Sequence, residues 1–183
     1  MLSGSPYVHD RHAVTFYAND DQLFTTVAAF FGDGLDIGEP ALVIATEPHA
    51  IGIFDALRAR QIDVDAAVAR GDIVVVDAVE TLERIMIDNE IDPDRFARAL
   101  DTAIESTVKG RPAGTAVRAY GEMVDVLCQN GQQDEAIRLE ILWNRGASGR
   151  PVSVLCGYAA DAVAGDAIGR AAVCRLHSHI IAA

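Results

Sequence analysis

Five short segments rich in apolar and β-branched residues constrain the fold of this 183-residue chain more than any other feature. The clearest of them, Pro40–Ala45, is continuously apolar, which is typical of a strand buried on both faces of a parallel sheet. Helical patterns separate the segments, and this alternation predicts a three-layer α/β fold, a mainly parallel sheet with helices on both faces. The predicted strands are His12–Tyr17, Pro40–Ala45, Asp72–Asp77, Gly114–Tyr120 and Pro151–Tyr158.

The intervening helices are predicted from capping residues and from apolar side chains at helical spacing. Asn19 or Asp20 caps the first helix, and Thr46 caps the second, whose first turn holds Glu47 and Pro48. Shorter helical segments are expected near Val64–Ala69, Ala78–Ile87 and Glu122–Cys128, and longer helices over Asp92–Val108, Gln132–Arg145 and Ala159–Ile180.

The composition argues against several classes of partner. The net charge is −12, Lys109 is the one lysine, and the arginines are dispersed along the chain. The sequence therefore lacks the clustered cations on which nucleic-acid binding depends. No apolar run reaches the ~18 residues of a membrane-spanning helix, and residues 1–10 lack a signal-peptide pattern, so a cytoplasmic location is expected. Residues 1–11 are predicted to form a flexible lead-in to a single domain over residues 12–183.

Cysteine and histidine are few and widely spaced. His177 and His179 are two residues apart on the predicted last helix, so they would not face each other as a metal pair does, and His12 and His49 are isolated in sequence. No metal site, cofactor or nucleophilic catalysis is therefore predicted. Apolar neighbours favour reduced core thiols over disulfides or zinc ligands for Cys128, Cys156 and Cys174.

The junction between the first predicted strand and the first helix lacks a phosphate-binding loop. In nucleotide-binding α/β folds a glycine-rich turn at this point lets the backbone approach the phosphates. The junction here, Tyr17–Asp21, has no Gly, Lys, Ser or Thr and carries two acids. Hydrolysis of a nucleoside triphosphate by that route is therefore disfavoured.

Glu122 is the best candidate for a functional acid. It follows a predicted strand, and ligands of open α/β sheets bind beyond the carboxyl ends of the strands. The alternative is structural, because a carboxylate is also stabilised at the start of the helix that follows. Arg118 lies within the same strand, where a buried guanidinium needs a partner, and Glu140 or Asp77 is expected to pair with it.

Aromatic residues suggest where a small molecule could bind. Phe16 and Tyr17 could line the vacant phosphate position and suit a small apolar or planar ligand, or they could belong to the core. Trp143, the chain's one tryptophan, lies beside Asn144 on an apolar helical stripe and is more often core than ligand contact.

Four motifs in this order resemble the MEDS family, the methanogen/methylotroph, DcmR-type sensory domain. The resemblance runs from about His12 to His179 and rests on His12–Tyr17, Gly121–Asp125, Leu139–Asn144 and Cys174–His179. It implies a RecA/KaiC-like α/β core without a phosphate loop and a sensory role proposed to involve hydrocarbon-derived small molecules. It also implies a histidine kinase or a transcriptional regulator as output partner, with the chain either a stand-alone regulator or a fragment.

Three functions are therefore considered: a non-catalytic sensory domain that binds a small molecule or a partner regulator, a residual nucleotide-binding or NTPase-like module, and a protein-interaction domain that could form a homodimer. For the first of these, the residues expected to bind the ligand are Phe16, Tyr17, Arg118, Glu122, Glu140, Trp143 and Asn144.

Overall fold

The computed structural model describes residues 12–163, 165 and 167–182. The strands are β1 (His12–Tyr17), β2 (Ala41–Ala45), β3 (Ile73–Asp77), β4 (Met86–Ile87), β5 (Glu90–Ile91), β6 (Val117–Gly121), β7 (Val152–Ala159) and β8 (His179–Ala182). The helices are α1 (Asp20–Leu35), α2 (Glu47–Ala59), α3 (Val64–Arg70), α4 (Ala78–Ile85), α5 (Pro93–Val108), α6 (Met123–Gln129), α7 (Gln133–Ala147) and α8 (Ala167–Leu176).

Six strands form one sheet in the order β3-β2-β6-β7-β1-β8, and neighbouring strands are parallel throughout. In the centre, Val14 of β1 lies opposite Cys156 of β7, and Ala119 of β6 lies opposite Val154. Strands β2 and β6 are buried along their whole length, because helices cover both faces. The predicted parallel sheet is confirmed.

The sheet separates two clusters of buried apolar side chains. Successive side chains of a strand point to opposite faces, so Val14 and Phe16 lie on one side of β1 and Ala13 and Tyr17 on the other. Side chains of α1, α2 and α3 pack on the Ala13 face, and those of α4 to α8 pack on the Val14 face. Together they give the predicted three layers.

Polar side chains begin several helices as expected. The carboxamide oxygen of Asn19 accepts a hydrogen bond from the amide of Gln22, and Asp92 accepts one from the amide of Arg95. Thr46 occupies the capping position of α2, but its side chain makes no capping hydrogen bond. Its amide donates to Glu122 instead, so this position connects α2 to the end of β6.

The prediction of a final helix over Ala159–Ile180 is wrong. Helix α8 ends at Leu176, and His179–Ala182 forms β8, a parallel edge strand beside β1. The turn into β8 is held by Ser178, whose amide and hydroxyl both donate to the carbonyl oxygen of His12. The adjacent residues Ile180 and Ile181 favour a strand, and they pair with the edge of β1. The short antiparallel pair of β4 and β5 was also not predicted.

Two sequence-based expectations stand apart from these elements. The predicted flexible lead-in, residues 1–11, lies outside the described residues. Within the described part of the chain, no helix is both long enough and apolar enough to cross a bilayer.

Replacing Leu42 by alanine tests the buried sheet. Leu42 is fully buried in β2, so Leu42→Ala should lower the free energy of unfolding by about 2–5 kcal/mol through lost apolar contact and a residual cavity. Ile37→Ala is the control, because that side chain is 61% exposed and its loss should change the free energy by less than about 0.5 kcal/mol. Urea denaturation measures both, and equal effects would contradict the burial of β2.

Candidate functional site

The carboxyl ends of the central strands gather polar residues at one edge of the sheet. Tyr17 ends β1, Glu122 follows β6, Ala159 ends β7 and Thr46 follows β2. This edge is where open α/β sheets bind their ligands. Two buried carboxylates, those of Glu122 and Asp125, organise it.

Glu122 is buried, and its carboxylate accepts three hydrogen bonds. The amide of Thr46 and Nδ1 of His49 each lie 2.7 Å from it, and the hydroxyl of Tyr120 lies 2.8 Å away. A buried carboxylate is tolerated when donors of this kind replace water. Gly157 of β7 leaves room for the phenol of Tyr120 to reach the carboxylate. A Cβ at position 157 would come within 2.8 Å of the phenol oxygen.

His49, in the first turn of α2, is the ionisable partner of Glu122. Its hydrogen bond to Glu122 raises the pKa of His49, partial burial opposes the rise, and the negative charges of Glu122 and Asp20 add to it. Nε2 of His49 lies 3.7 Å from Asp20. Burial, followed by the charge of Glu122, raises the pKa of Tyr120, which therefore remains a neutral donor.

Asp125, on α6, joins the ends of β1 and β7. It accepts hydrogen bonds from the hydroxyl of Tyr17 at 2.8 Å, the amide of Ala159 at 2.8 Å and the side-chain amide of Gln129 at 2.7 Å. Burial raises the pKa of Asp125, and these hydrogen bonds oppose the rise. The pKa of Tyr17 is raised too, first by burial and then by the charge of Asp125.

A polar cleft of about 530 Å³ opens beyond these side chains, at the position of the missing phosphate loop. Tyr17 and His49 form part of its wall, and the acids Asp20 and Asp161 lie at its surface. Two carboxylates beside one histidine create a negative potential, which disfavours phosphates. The cleft is better matched to a neutral or cationic group.

A second cleft, of about 450 Å³, lies on the Val14 face of the sheet and is mostly apolar. The indole of Trp143 stands edge-on to the ring of Phe96, with ring centroids 5.5 Å apart. Met123, the residue after Glu122, also lines this cleft. Trp143 packs close to the end of β6, since a Cβ at Gly121 would come within 3.9 Å of its ring.

A third polar group lies at the start of β1, deep in the Val14 face. His12, Glu140, Cys156 and His177 are all buried there, on four different elements or turns. The hydroxyl of Tyr158 donates to Oε1 of Glu140 at 2.7 Å. Burial acts to raise the pKa of Glu140, but the neighbouring imidazoles outweigh it and lower the pKa to about 2.

The seven predicted ligand residues do not share one pocket. Tyr17 and Glu122 both lie at the carboxyl edge, where Tyr17 donates to Asp125 and Glu122 accepts from Tyr120. Trp143 lines the apolar cleft. Glu140 and Asn144 belong to the group around His12. Phe16 points to the face opposite Tyr17, where it packs against Tyr158 with ring centroids 5.9 Å apart and lies under the guanidinium of Arg170 at 4.3 Å.

The predicted pairing of Arg118 with Glu140 or Asp77 is wrong. Nε of Arg118 donates to Glu39 at 2.7 Å, and Nη1 donates to the carbonyl oxygen of Phe30 at 2.7 Å. Arg118 lies level with Ala41, whereas Asp77 lies level with Ala45, four residues further along the sheet. That offset is roughly 13 Å at the rise of a β-strand, too far for an ion pair.

Sequence reasoning missed the partners that complete these sites. His12 and His49 are isolated in sequence, yet Nε2 of His12 lies 3.3 Å from Sγ of Cys156 in the fold. The sequence places Asp125 in the Gly121–Asp125 motif and in a short helix but predicts no contact for its carboxylate. The spacing of Asp125 after Glu122, one turn into a helix at a strand end, was the one local signal that could have identified it.

The His49–Glu122 pair predicts a pH-dependent stability. Because the pKa of His49 is raised in the folded state, the stabilisation is complete below the ordinary histidine pKa of about 6.5 and is lost as pH rises through the folded-state value. The difference in free energy of unfolding between wild type and His49→Gln should therefore be largest near pH ~6 and should shrink at alkaline pH.

Urea denaturation at a series of pH values measures this difference. His179→Gln is the control, because it removes an imidazole from β8, away from Glu122. A difference for His49→Gln that is constant with pH, or that grows as pH rises, would refute the proposed ionic contribution.

Comparison with known proteins identifies the family. The model of the MEDS family, the MEthanogen/methylotroph, DcmR Sensory domain, matches residues 11–178. Among curated proteins no match was found. An uncharacterized protein of Pyrococcus horikoshii, solved in complex with an unknown peptide, is similar with a TM-score of 0.64 at 12% identity, over 96% of this chain and 78% of that one.

A KaiC-like protein of Pyrococcus horikoshii OT3 has the same fold, with a TM-score of 0.54 at 17% identity, over 93% of this chain and 70% of that one. At these identities the likeness concerns the fold, which is the predicted RecA/KaiC-like α/β core. The family match covers nearly the whole chain, so this protein belongs to the MEDS family of sensory domains.

Proposed function

We propose that the chain is a non-catalytic signal-transduction domain, acting in the cytoplasm, that binds a small and mostly apolar molecule in the cleft beside Trp143. The sensory family supports the role. The observation that carries the choice of site is the apolar cleft of about 450 Å³, a volume within the range of small-molecule sites. Its size and lining suit a hydrocarbon derivative.

The lining of this cleft matches a ligand with an apolar body and one polar group. Phe96, Trp143 and Met123 provide apolar surface, and burial of such surface is the main favourable contribution to binding. Guanidinium and hydroxyl groups in the lining supply donors that could orient a polar substituent. These residues are Arg84, Arg98 and Ser106. The hydroxyls of Thr81 and Thr102 also line the cleft, but they already donate to backbone carbonyls.

Binding at this cleft has a direct route to the carboxyl edge of the sheet. Met123 touches the cleft, and the preceding residue, Glu122, holds Thr46 and His49 by hydrogen bonds. A shift of Met123 on ligand binding would therefore act on the start of α2. This is how an apolar ligand could alter the polar surface that an output partner contacts.

The hydrogen bonding of the carboxylates supports a non-catalytic role. Glu122 and Asp125 each accept three hydrogen bonds from described residues, so each is held as a structural acceptor. A general base needs instead to reach a substrate proton within hydrogen-bonding distance.

Residual nucleotide binding is the alternative function, and the fold favours it. The acids Asp20 and Asp161 at the polar cleft oppose it, because they repel phosphate. Titration calorimetry with ATP and magnesium separates the two ideas: micromolar binding would favour a nucleotide module.

A protein-interaction domain is the third option. Ile180 of the edge strand β8 is 56% exposed, which suits contact with a second copy or with a histidine kinase or transcriptional regulator. Persistent dimerisation in light scattering, unaffected by any small molecule, would favour this option.

Filling the apolar cleft tests the first proposal. Short alcohols, toluene and alkyl halides serve as probes, with Trp143 fluorescence and melting temperature as readouts. Ala103 lines the cleft on α5, so Ala103→Leu should occupy part of its volume and weaken binding of a responsive probe by about tenfold or more. Ala97→Leu, the same change at an exposed position of α5, is the matched control and should leave binding unchanged.

Two results would count against this site. The first is that no probe shifts either signal in the wild type. The second is that Ala103→Leu and Ala97→Leu bind a responsive probe equally well. Tyr17→Phe tells the clefts apart, because Tyr17 lines the polar cleft and should not affect a ligand of the apolar one.

A further inference from the structure

The buried group around His12 has the composition of a metal site. It consists of Nε2 of His12, an oxygen of Glu140, Sγ of Cys156 and Nε2 of His177, and all four atoms lie within 4.8 Å of one another. We call it the four-ligand cluster. Its side chains come from β1, α7, β7 and the turn after α8, so only the folded chain assembles it.

Four of the six distances between the ligand atoms are close to those of a tetrahedron around a small cation. Oε2 of Glu140 lies 3.1 Å from Nε2 of His12, 3.3 Å from Nε2 of His177 and 3.5 Å from Sγ of Cys156. Nε2 of His12 lies 3.3 Å from the same sulfur. Zinc bonds of about 2.0 Å to nitrogen or oxygen and 2.3 Å to sulfur give tetrahedral edges of roughly 3.3–3.6 Å.

Neighbouring groups already fix the orientation of the ligands. Nδ1 of His177 can only donate to the carbonyl oxygen of Val173, 2.6 Å away, which leaves Nε2 directed into the cluster. Asn144 donates through Nδ2 to the carbonyl of Leu176, so its oxygen accepts from Nδ1 of His12. Metal-binding histidines are characteristically held in this way by a hydrogen bond on the other ring nitrogen.

One ligand atom of the cluster has no hydrogen-bond partner among the described residues. Nε2 of His177 is completely buried and makes no hydrogen bond with any described residue, although Glu140 is 3.3 Å away. A buried polar atom without a protein partner calls for a physical explanation, and a bound ion is one.

We propose that His12, Glu140, Cys156 and His177 together bind one zinc ion. Zn²⁺ with two neutral imidazoles, a carboxylate and a thiolate is electrically neutral, so the buried site carries no excess charge. Binding displaces the thiol proton of Cys156 to solvent as the S–Zn bond forms. Nitrogen and sulfur donors favour zinc over magnesium or calcium, which prefer oxygen.

Four protein ligands make this a closed, structural site rather than a catalytic one. It ties the start of β1 to the turn that precedes β8, where Ser178 also donates to His12. Zinc would therefore hold the edge strand in place. This role is separate from ligand sensing at the Trp143 cleft, and its test does not depend on that cleft.

Metal analysis and cobalt substitution test the proposal. The chain expressed with zinc should retain about one zinc per molecule by mass spectrometry. Co²⁺ added to the stripped protein should produce a thiolate-to-metal charge-transfer band and visible bands of tetrahedral intensity. Cys156→Ser should abolish the charge-transfer band, and His177→Gln should weaken Co²⁺ binding by at least about tenfold.

Matched controls lie close to the site. Cys174→Ser and His179→Gln change the same residue types outside the four-ligand cluster, and both should keep full metal content. Asn144→Ala removes no ligand atom, only the hydrogen bonds to His12 and to the carbonyl of Leu176, and should weaken Co²⁺ binding by about 10–100-fold while retaining the charge-transfer band.

The proposal is overturned if the stripped wild type binds neither Zn²⁺ nor Co²⁺ at micromolar concentration, or if Cys156→Ser keeps the sulfur band. The wild-type titration decides alone if the variants fail to fold. A metal-free chain whose melting temperature is unaffected by zinc would show the cluster to be a buried imidazole–carboxylate network.

Discussion

The parallel direction of the six strands governs the rest of this structure. A parallel sheet requires a crossover after each strand, and the crossovers cover both faces with helices. It also brings every carboxyl end to one edge, so Tyr17, Thr46, Glu122 and Ala159 converge although they are far apart in sequence. Because both faces of the sheet are shielded from water, any polar group buried there needs hydrogen-bond partners from the protein.

Three buried carboxylates meet this requirement in two ways. Glu122 and Asp125 are satisfied by backbone amides, phenols and one side chain each from His49 and Gln129, and they fasten the strand ends together. Glu140 is surrounded by two imidazoles and a thiol, which are metal ligands rather than simple donors. The carboxyl edge is thus a hydrogen-bonded frame, and the opposite end of β1 carries the four-ligand cluster.

The two clefts differ in position and in chemistry. The polar cleft lies at the strand-to-helix junction where nucleotide-binding α/β folds hold phosphate, and Asp20 and Asp161 give it negative charge. The apolar cleft lies on the Val14 face and reaches the same edge through Met123. The KaiC-like fold by itself does not assign a function, because function depends on the site and not on the architecture.

The sequence by itself determined the order and type of most elements, the cap at Asn19, the missing phosphate loop and the position of Glu122 at a strand end. These features depend on local backbone preferences and on apolar periodicity, which short windows of sequence contain. The placement of Phe16 and Tyr17 on opposite faces of the sheet also follows from the two-residue repeat of a strand. That repeat is incompatible with one shared pocket for both side chains.

Only the tertiary structure decided which distant side chains meet. Arg118 pairs with Glu39 because of strand register, and His179–Ala182 becomes a strand because β1 offers a free edge. His12 reaches Cys156 across 144 positions of sequence, and no local pattern encodes that contact. Pairings of this kind depend on how the whole sheet is assembled, so the Glu122 network and the four-ligand cluster could be found only in the folded chain.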